Sequence, residues 1–560
     1  MKTRIRLLGL FLTVCVLIGS LTSCAPALLW DLAWDIYYDR EVTTTHPAVE
    51  SDTQASSQPE EFPSDLEYSL TSEDVDAFYA LLAQCEQAYL SETTTQEELD
   101  SLDDRFTDAY YHIVTQSQLA YIRFCMATKD SEASDDYLFA SKASADAYDA
   151  YMQMCKRIDE SDSPWRETFF SDWSDSELEQ MRGFSQELTE LSLENDQLLV
   201  DYRELDEDDF YLGASDYYVQ LVTNNNRIAV LNGYENYWEY AYAEIYGRDY
   251  GKDEIVQMRE YVSTYVTQMC ADAIEAFQWQ FQRLTRREQT FVKDLLQDAR
   301  YDAFATDYVS GYLSTFDDEA EASMKGLFDK KNSVFATAEG AYQGAFTTYL
   351  HSLNRPVCYF GPSYQNVGTV IHEMGHYYSY LLNGRSNVQM DLAEVQSQGN
   401  EWLFCAYLNT VLDEDVARAV YSYQLYSALT TVLVGTMVDQ FEQTCYEMQI
   451  DSTEDADAVM AGVMAQYGGR EWVEYYVTDM DAYWRYVTVE NSVYYVSYAV
   501  SMLAAVQIYS VAETQSYATG MEIYLSLMKP KSGAFLAAVT SAGLKSPMEE
   551  ALYRELMNLI

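Results

Sequence analysis

The chain has 560 residues, 48% of them hydrophobic, and carries 90 acidic against 34 basic side chains, a formal charge of −56. Its length and apolar content suit a folded chain with a large core, roughly two to four domain-sized units, and argue against disorder. So negative a balance argues against nucleic acid or an anionic membrane face as partners, because both would be repelled. With nine prolines and 23 glycines over that length, few breaks interrupt the helices that the pattern predicts.

At the N-terminus, Lys2, Arg4 and Arg6 precede an apolar run from Leu7 to Leu21, the layout of a secretory signal peptide, and the run is short for a spanning helix. It ends Leu21-Thr22-Ser23-Cys24, which resembles the lipobox of bacterial lipoproteins. That resemblance implies a signal over 1–23, lipidation of Cys24, and a protein held outside the cytoplasmic membrane by its lipid alone. Residues 24–65 pass from an apolar, Trp-containing segment into a Thr/Ser/Pro/Glu-rich stretch unable to bury much surface, and are expected to form a tether. Of the nine cysteines, setting aside Cys15 and Cys24 leaves an odd, scattered set. They are expected to be buried small hydrophobes, with no disulfide framework.

Order is expected from Leu66. Thr71-Ser72-Glu73-Asp74 has a capping hydroxyl followed by acids, a helix start. The apolar recurrence Leu178, Met181, Phe184, Leu188 and Leu191 reads as a packing seam. Residues 66–205 are therefore expected to form a helical bundle, and a second helical region, 206–560, to follow. Within it, 344–350 and 357–360 are β-prone and bounded by turn residues. They read either as buried strands or as a sheet edge able to hold an extended peptide. Asp451 to Asp457 has calcium-loop acids without the required glycine, and reads as a solvated loop and helix cap.

The chemistry concentrates in His372-Glu373-Met374-Gly375-His376, an H-E-x-x-H pattern in a chain with only five histidines. On a helix the two imidazoles lie one turn apart on one face, within reach of one metal ion, with Glu373 placed to hold a water there and take its proton. Ser363 is expected as the N-cap of this helix and Asn383-Gly384 as its stop. A catalytic zinc ion takes three protein ligands plus water, and no histidine follows His376. Downstream, Glu394 and Glu401 are two helical turns, roughly 10 Å, apart and cannot both ligate one ion. Asp391-x-x-Glu394 also has the spacing of a capping box, which would use the glutamate to close a helix start. On spacing alone Glu394 and Glu401 stand level.

Together, His372 to His376, the segment Asp391 to Gln398, Gly340 to Phe346, Phe441-Glu442 and Ala542 to Pro547 resemble the oligoendopeptidase F and thimet oligopeptidase family of zinc metallopeptidases, over roughly residues 210 to 560. The resemblance implies a mainly α, two-lobed fold with a deep central channel and a small β element beside the metal helix. It implies Zn²⁺ held by His372, His376 and Glu394, Glu373 as general base, and short unfolded peptides as substrates. Tyr494 to Ser501 resembles the family's tyrosine segment, which implies that Tyr498, or else Tyr494, donates to the oxyanion. The chain departs from the family in two places. The stretch between His372 and Glu394 is shorter than usual, and no histidine stands in Arg485 to Ser492, where Thr488 lies. Two other readings follow: a related helical zinc carboxypeptidase or dipeptidyl carboxypeptidase, and a catalytically silent surface lipoprotein that binds peptides.

Overall fold

The structure is a computed structural model that describes residues 66–205, 207–298, 306–338, 340–384 and 388–559. The expected signal, Cys24 and tether lie outside these residues. The first helices start as their local sequence dictates. Helix α1 (Ser72–Tyr89) opens on a reciprocal cap, the Thr71 side chain accepting from the Asp74 amide while the Asp74 carboxylate accepts from the Thr71 amide at 2.9 Å. Helices α2 (Gln96–Met126) and α3 (Ser131–Asp159) continue the bundle. The seam expected over 178–191 is split. One helix ends at Gly183, Phe184 takes an extended conformation, and α4 (Gln186–Arg203) starts afresh. Met181 and Phe184 remain buried, so the seam packs as expected although its backbone is broken. Helix α5 (Glu207–Leu231) follows.

A small sheet separates two hydrophobic cores. Its strands β1 (Ser333–Phe335), β2 (Ala345–Leu350) and β3 (Arg355–Phe360) lie in the order β1-β3-β2, with β1 parallel and β2 antiparallel to β3. Side chains alternate across a strand, and here each parity meets a different core. Phe346, Leu350, Val357 and Tyr359 join the core of α1 to α4, while Ala345, Cys358 and Phe360 join the larger core. The N-terminal core is therefore completed by one face of the sheet. β1 carried no readable signal because three residues are too few to show a period.

The other face of the sheet carries α6 (Val367–Asn383), the helix of the H-E-x-x-H pattern, which packs in turn on α7 (Met390–Val411). Helix α6 starts later than expected. Asn366, not Ser363, is its N-cap, accepting from the Thr369 amide at 3.0 Å. The Ser363 hydroxyl donates instead to Gln343 Oε1 at 2.7 Å, and Gln365 Nε2 donates to the Ala336 carbonyl at 2.5 Å, so 363–365 is spent tying the helix entry to the sheet loops. The stop at Asn383-Gly384 is observed, with Gly384 at φ +60.

The rest of the larger core includes α8 (Glu414–Met448), α9 (Met480–Glu490) and α10 (Val496–Thr514). By length and composition α10 is apolar enough to cross a membrane, but 78% of its apolar window is buried inside the fold. It is a core helix. Ser452 caps the helix Thr453–Gln466 by accepting from the Asp455 amide, which gives the acidic stretch from Asp451 its structural use. All cysteines among the described residues are buried and free.

One buried ion pair joins the two cores. At the end of α4, Arg203 donates through Nε to Glu490 Oε1 at 3.0 Å and through Nη2 to Tyr121 at 2.9 Å, with its guanidinium 4.2 Å from the centre of the Tyr342 ring. Its partner Glu490 ends α9, and both side chains are under 5% exposed (4% and 3%). An acid left alone at such a site keeps its desolvation penalty without compensation. Arg203→Ala should therefore cost about 3–5 kcal/mol, read as a lower urea midpoint. Arg203→Met combined with Glu490→Met should recover most of that loss.

Candidate metal centre

Two helices supply the centre, and one glycine lets them meet. A Cβ built on Gly375 would stand 2.5 Å from the Gln396 carbonyl oxygen and 2.6 Å from Ser397 Cα. Only the absence of a side chain lets α6 lie against the α7 backbone there. Asn400 Nδ2 adds a bond to the Ile371 carbonyl at 2.7 Å. The contact brings Glu394 of α7 under the two histidines of α6.

His372 Nε2 lies 3.4 Å and His376 Nε2 3.6 Å from the same oxygen, Glu394 Oε2, and all three donor atoms fall within 4.8 Å of one another. Ligand bonds of about 2.0–2.1 Å in a tetrahedron put donors about 3.3 Å apart, so the set needs little movement to close on one ion. Two imidazoles and one carboxylate suit Zn²⁺ or a similar transition metal and leave a tetrahedral position open, whereas Ca²⁺ and Mg²⁺ prefer oxygen donors. Among the described residues this is the only group of three or more such side chains close enough to hold an ion.

The surrounding side chains orient these three. Glu401 does not approach the donor set. Its Oε1 lies 2.6 Å from His372 Nδ1, on the opposite edge of the ring from Nε2, and its Oε2 accepts from Gln424 at 3.3 Å. A carboxylate behind a ligating histidine fixes the ring and its tautomer. The two glutamates that spacing left level thus have separate tasks. The capping-box spacing of Asp391 and Glu394 is not used: Gln389 is the N-cap of α7, and Asp391 is fully buried against Arg248, Tyr250 and Ser497. Glu394 accepts from Ser397 Oγ at 3.0 Å on Oε2 and from the Tyr494 hydroxyl on Oε1. Burial alone would raise the Glu394 carboxyl, but the His376 and His372 rings override it and hold the group well below the usual carboxylate range.

Glu373 is 1% exposed, and Thr347 of β2 donates to its Oε2 at 2.6 Å. Burial pushes its pKa up, against the opposing pull of the neighbouring His376 and His372 side chains and the Thr347 bond. A carboxylate whose pKa is raised is the stronger proton acceptor. Tyr494 reaches the centre through Glu394, and the Tyr498 ring stands edge-on to it with centroids 5.1 Å apart. Thr488 is fully buried, and its hydroxyl returns to the Trp484 carbonyl at 2.7 Å within α9, so it offers no replacement for the histidine of the resembling family. Sequence reasoning missed Thr347 and the task of Glu401. The available signal for Thr347 was a polar residue on the same parity of β2 as the core residue Ala345.

Solved structures share this fold. A protein described as an oligoendopeptidase F superposes with a TM-score of 0.69 at 15% identity, over 88% of this chain and 97% of its own. PZ peptidase A with an inhibitor gives 0.69 at 16% identity, over 88% and 98%. A protein from Bacillus anthracis str. Ames, also described as an oligoendopeptidase F, gives 0.66 at 16% identity, over 88% and 96%. No protein-family model and no curated protein sequence matches the chain. At these identities the likeness is one of fold: a helical body with a three-stranded sheet beside the metal helix.

The close approach at Gly375 makes a sharp prediction. Gly375→Ala must separate α6 from α7 and carry Glu394 away from the histidines. Divalent-metal binding, titrated as Zn²⁺ by calorimetry, should fall at least about 100-fold, with a loss of stability of about 1–3 kcal/mol. Unchanged binding would show that the two helices do not set the site.

Proposed function

We propose that this chain is a zinc-dependent oligoendopeptidase that hydrolyses short, unfolded peptides outside the cytoplasmic membrane. The observation that carries the reading is the convergence of His372 Nε2, His376 Nε2 and Glu394 Oε2, with the buried Glu373 carboxylate next to His372 in the same helix. The fold shared with solved structures described as peptidases supports it. The zinc ion, when bound, supplies a Lewis acid that lowers the pKa of water and polarises a carbonyl.

The chain's own residues do the rest. Glu373, with Oε2 held by Thr347, takes a proton from the attacking water on Oε1 and delivers it to the leaving amine. Tyr498 donates its hydroxyl proton as a hydrogen bond to the oxyanion. Tyr494, whose hydroxyl is on Glu394, holds that carboxylate in place. β2 is an edge strand in the order β1-β3-β2 and carries Thr347, so an extended peptide added along it would run beside Glu373. Export and lipidation at Cys24 would keep the site on the outer side of the membrane.

The Glu373→Gln protein is expected to keep its Zn²⁺ yet cleave a quenched, N- and C-blocked peptide about two to four orders of magnitude more slowly. Wild-type turnover in that variant would refute the mechanism, and failure of the wild type to cut any blocked peptide would refute endopeptidase action. For the anchor, the wild-type chain expressed in a bacterium with lipoprotein processing should incorporate labelled palmitate and Cys24→Ala should not. Unchanged labelling in Cys24→Ala, or no labelling of the wild type, would refute lipidation at Cys24.

A further inference from the structure

We propose that Arg248 is a positioning residue that sets Tyr494 on Glu394 by gripping both the ligand helix and the backbone turn that launches the tyrosine. The proposal rests on the reading above for the identity of the metal that Glu394 serves. Arg248 lies in the segment Tyr242 to Tyr250, just beyond Gly247 at φ +56, and its side chain is fully buried. The rings of Tyr242 and Tyr246 lie 4.2 and 4.3 Å from its guanidinium carbon. Stacked in this way, the planar fork keeps its direction.

The fork has two arms. Toward α7, Nε reaches Asp391 Oδ1 at 3.5 Å, and Asp391 stands one turn before Glu394. Toward the tyrosine segment, Nη2 donates to the Val493 carbonyl and to Ser497 Oγ, both at 3.0 Å. The Ser497 hydroxyl donates to Asp391 Oδ1 at 2.6 Å and closes the loop between the arms. Tyr250 holds Asp391 Oδ2 at 2.9 Å, and Tyr246 holds the Ser492 carbonyl at 2.7 Å.

What is gripped is an unfavourable conformation. Val493 has φ +60, a left-handed backbone that a β-branched residue rarely adopts. It persists where the surroundings over-determine it, and here they do. Its carbonyl is on Arg248, and its amide donates to Glu442 Oε1 at 2.8 Å. Glu442 is fully buried, and burial pushes its carboxyl far up, which favours the neutral acid there. The next residue is Tyr494, whose hydroxyl meets Glu394. The strained turn therefore aims the phenol, and Arg248 fixes the turn and the ligand helix to one another.

The test is a double-variant cycle on the full chain, stripped of metal and titrated with Zn²⁺ against a competing chelator. Tyr494→Phe should weaken Zn²⁺ binding about 10–100-fold, the range in which outer partners of metal ligands act. Ser497→Ala and Arg248→Lys should each weaken it about three- to tenfold in the wild-type background, and less than about twofold further once Tyr494 is Phe. Equal losses in both backgrounds, or full affinity in Ser497→Ala, would overturn the proposal. Should Arg248→Lys fail to fold, Ser497→Ala carries the cycle, since it removes a single hydroxyl. If the wild type binds no Zn²⁺, the peptidase reading fails separately. The grip is then read in the metal-free chain labelled with ¹³C-tyrosine, from the ring signal that disappears in Tyr494→Phe. That signal must move in Ser497→Ala and Arg248→Lys, and a stationary signal would overturn the grip.

Discussion

Everything at the metal centre depends on how closely α6 approaches α7. Helices with ordinary side chains at the contact sit about 8–10 Å apart, and a glycine at the crossing lets the backbones come closer. Gly375 removes the spacer, and the Gln396 and Ser397 backbone occupies the space a Cβ would take. Glu394, less than a turn from that contact, then lies under His372 and His376. The same device recurs where α8 meets the tyrosine segment. A Cβ on Gly435 would stand 2.5 Å from the Tyr495 carbonyl oxygen. Two glycines thus set the distances along which the site is assembled.

Around that contact the chain places its scarce cations with economy. Arginines and lysines are outnumbered 34 to 90, yet Arg203, Arg248 and Arg259 are buried and paired with Glu490, Asp391 and Asp439 from far along the chain. Such pairs contribute little net stability, because desolvation offsets attraction, but breaking one is costly. Arg203 ties the N-terminal bundle to the end of α9, and Arg248 ties the ligand helix to the tyrosine turn. Arg259 also reaches Gln443 of α8 at 2.5 Å. The sheet completes the scheme by presenting one face to each core, so that Thr347 and Thr348, adjacent in β2, serve opposite sides. The first holds Glu373, and the second accepts from Gln118 of the bundle at 3.1 Å.

Features set by neighbours in sequence were legible without the fold. Thr71 and Ser452 were readable as caps, β2 and β3 as strands, the odd cysteines as buried thiols, and His372, Glu373 and His376 as one helical face, because helix and strand periods extend over only a few residues. The start of α6 was misread for a physical reason: Ser363 has the chemistry of a cap, but its hydroxyl is claimed by Gln343, which only the folded chain brings near. β1 was too short to register, and the apolar seam at 178–191 concealed a break because Phe184 keeps its buried place in either backbone.

The separate tasks of Glu394 and Glu401 lay beyond any spacing argument. Two turns of one helix put both near the histidine helix, and which oxygen faces Nε2 and which Nδ1 depends on the roll of α7 against α6. The left-handed turn at Val493 and the convergence of Arg248, Asp391 and Ser497 are likewise invisible along the chain, since valine there predicts nothing unusual and the partners are scattered across the fold. The sequence by itself determined which groups are candidates for holding a metal ion and the local helix that pairs two of them. Spacing left the two carboxylates level and the family resemblance pointed to Glu394; tertiary packing is what sets that carboxylate beside the histidines and holds it there, because those contacts are fixed by the close approach of helices and not by any period of the chain.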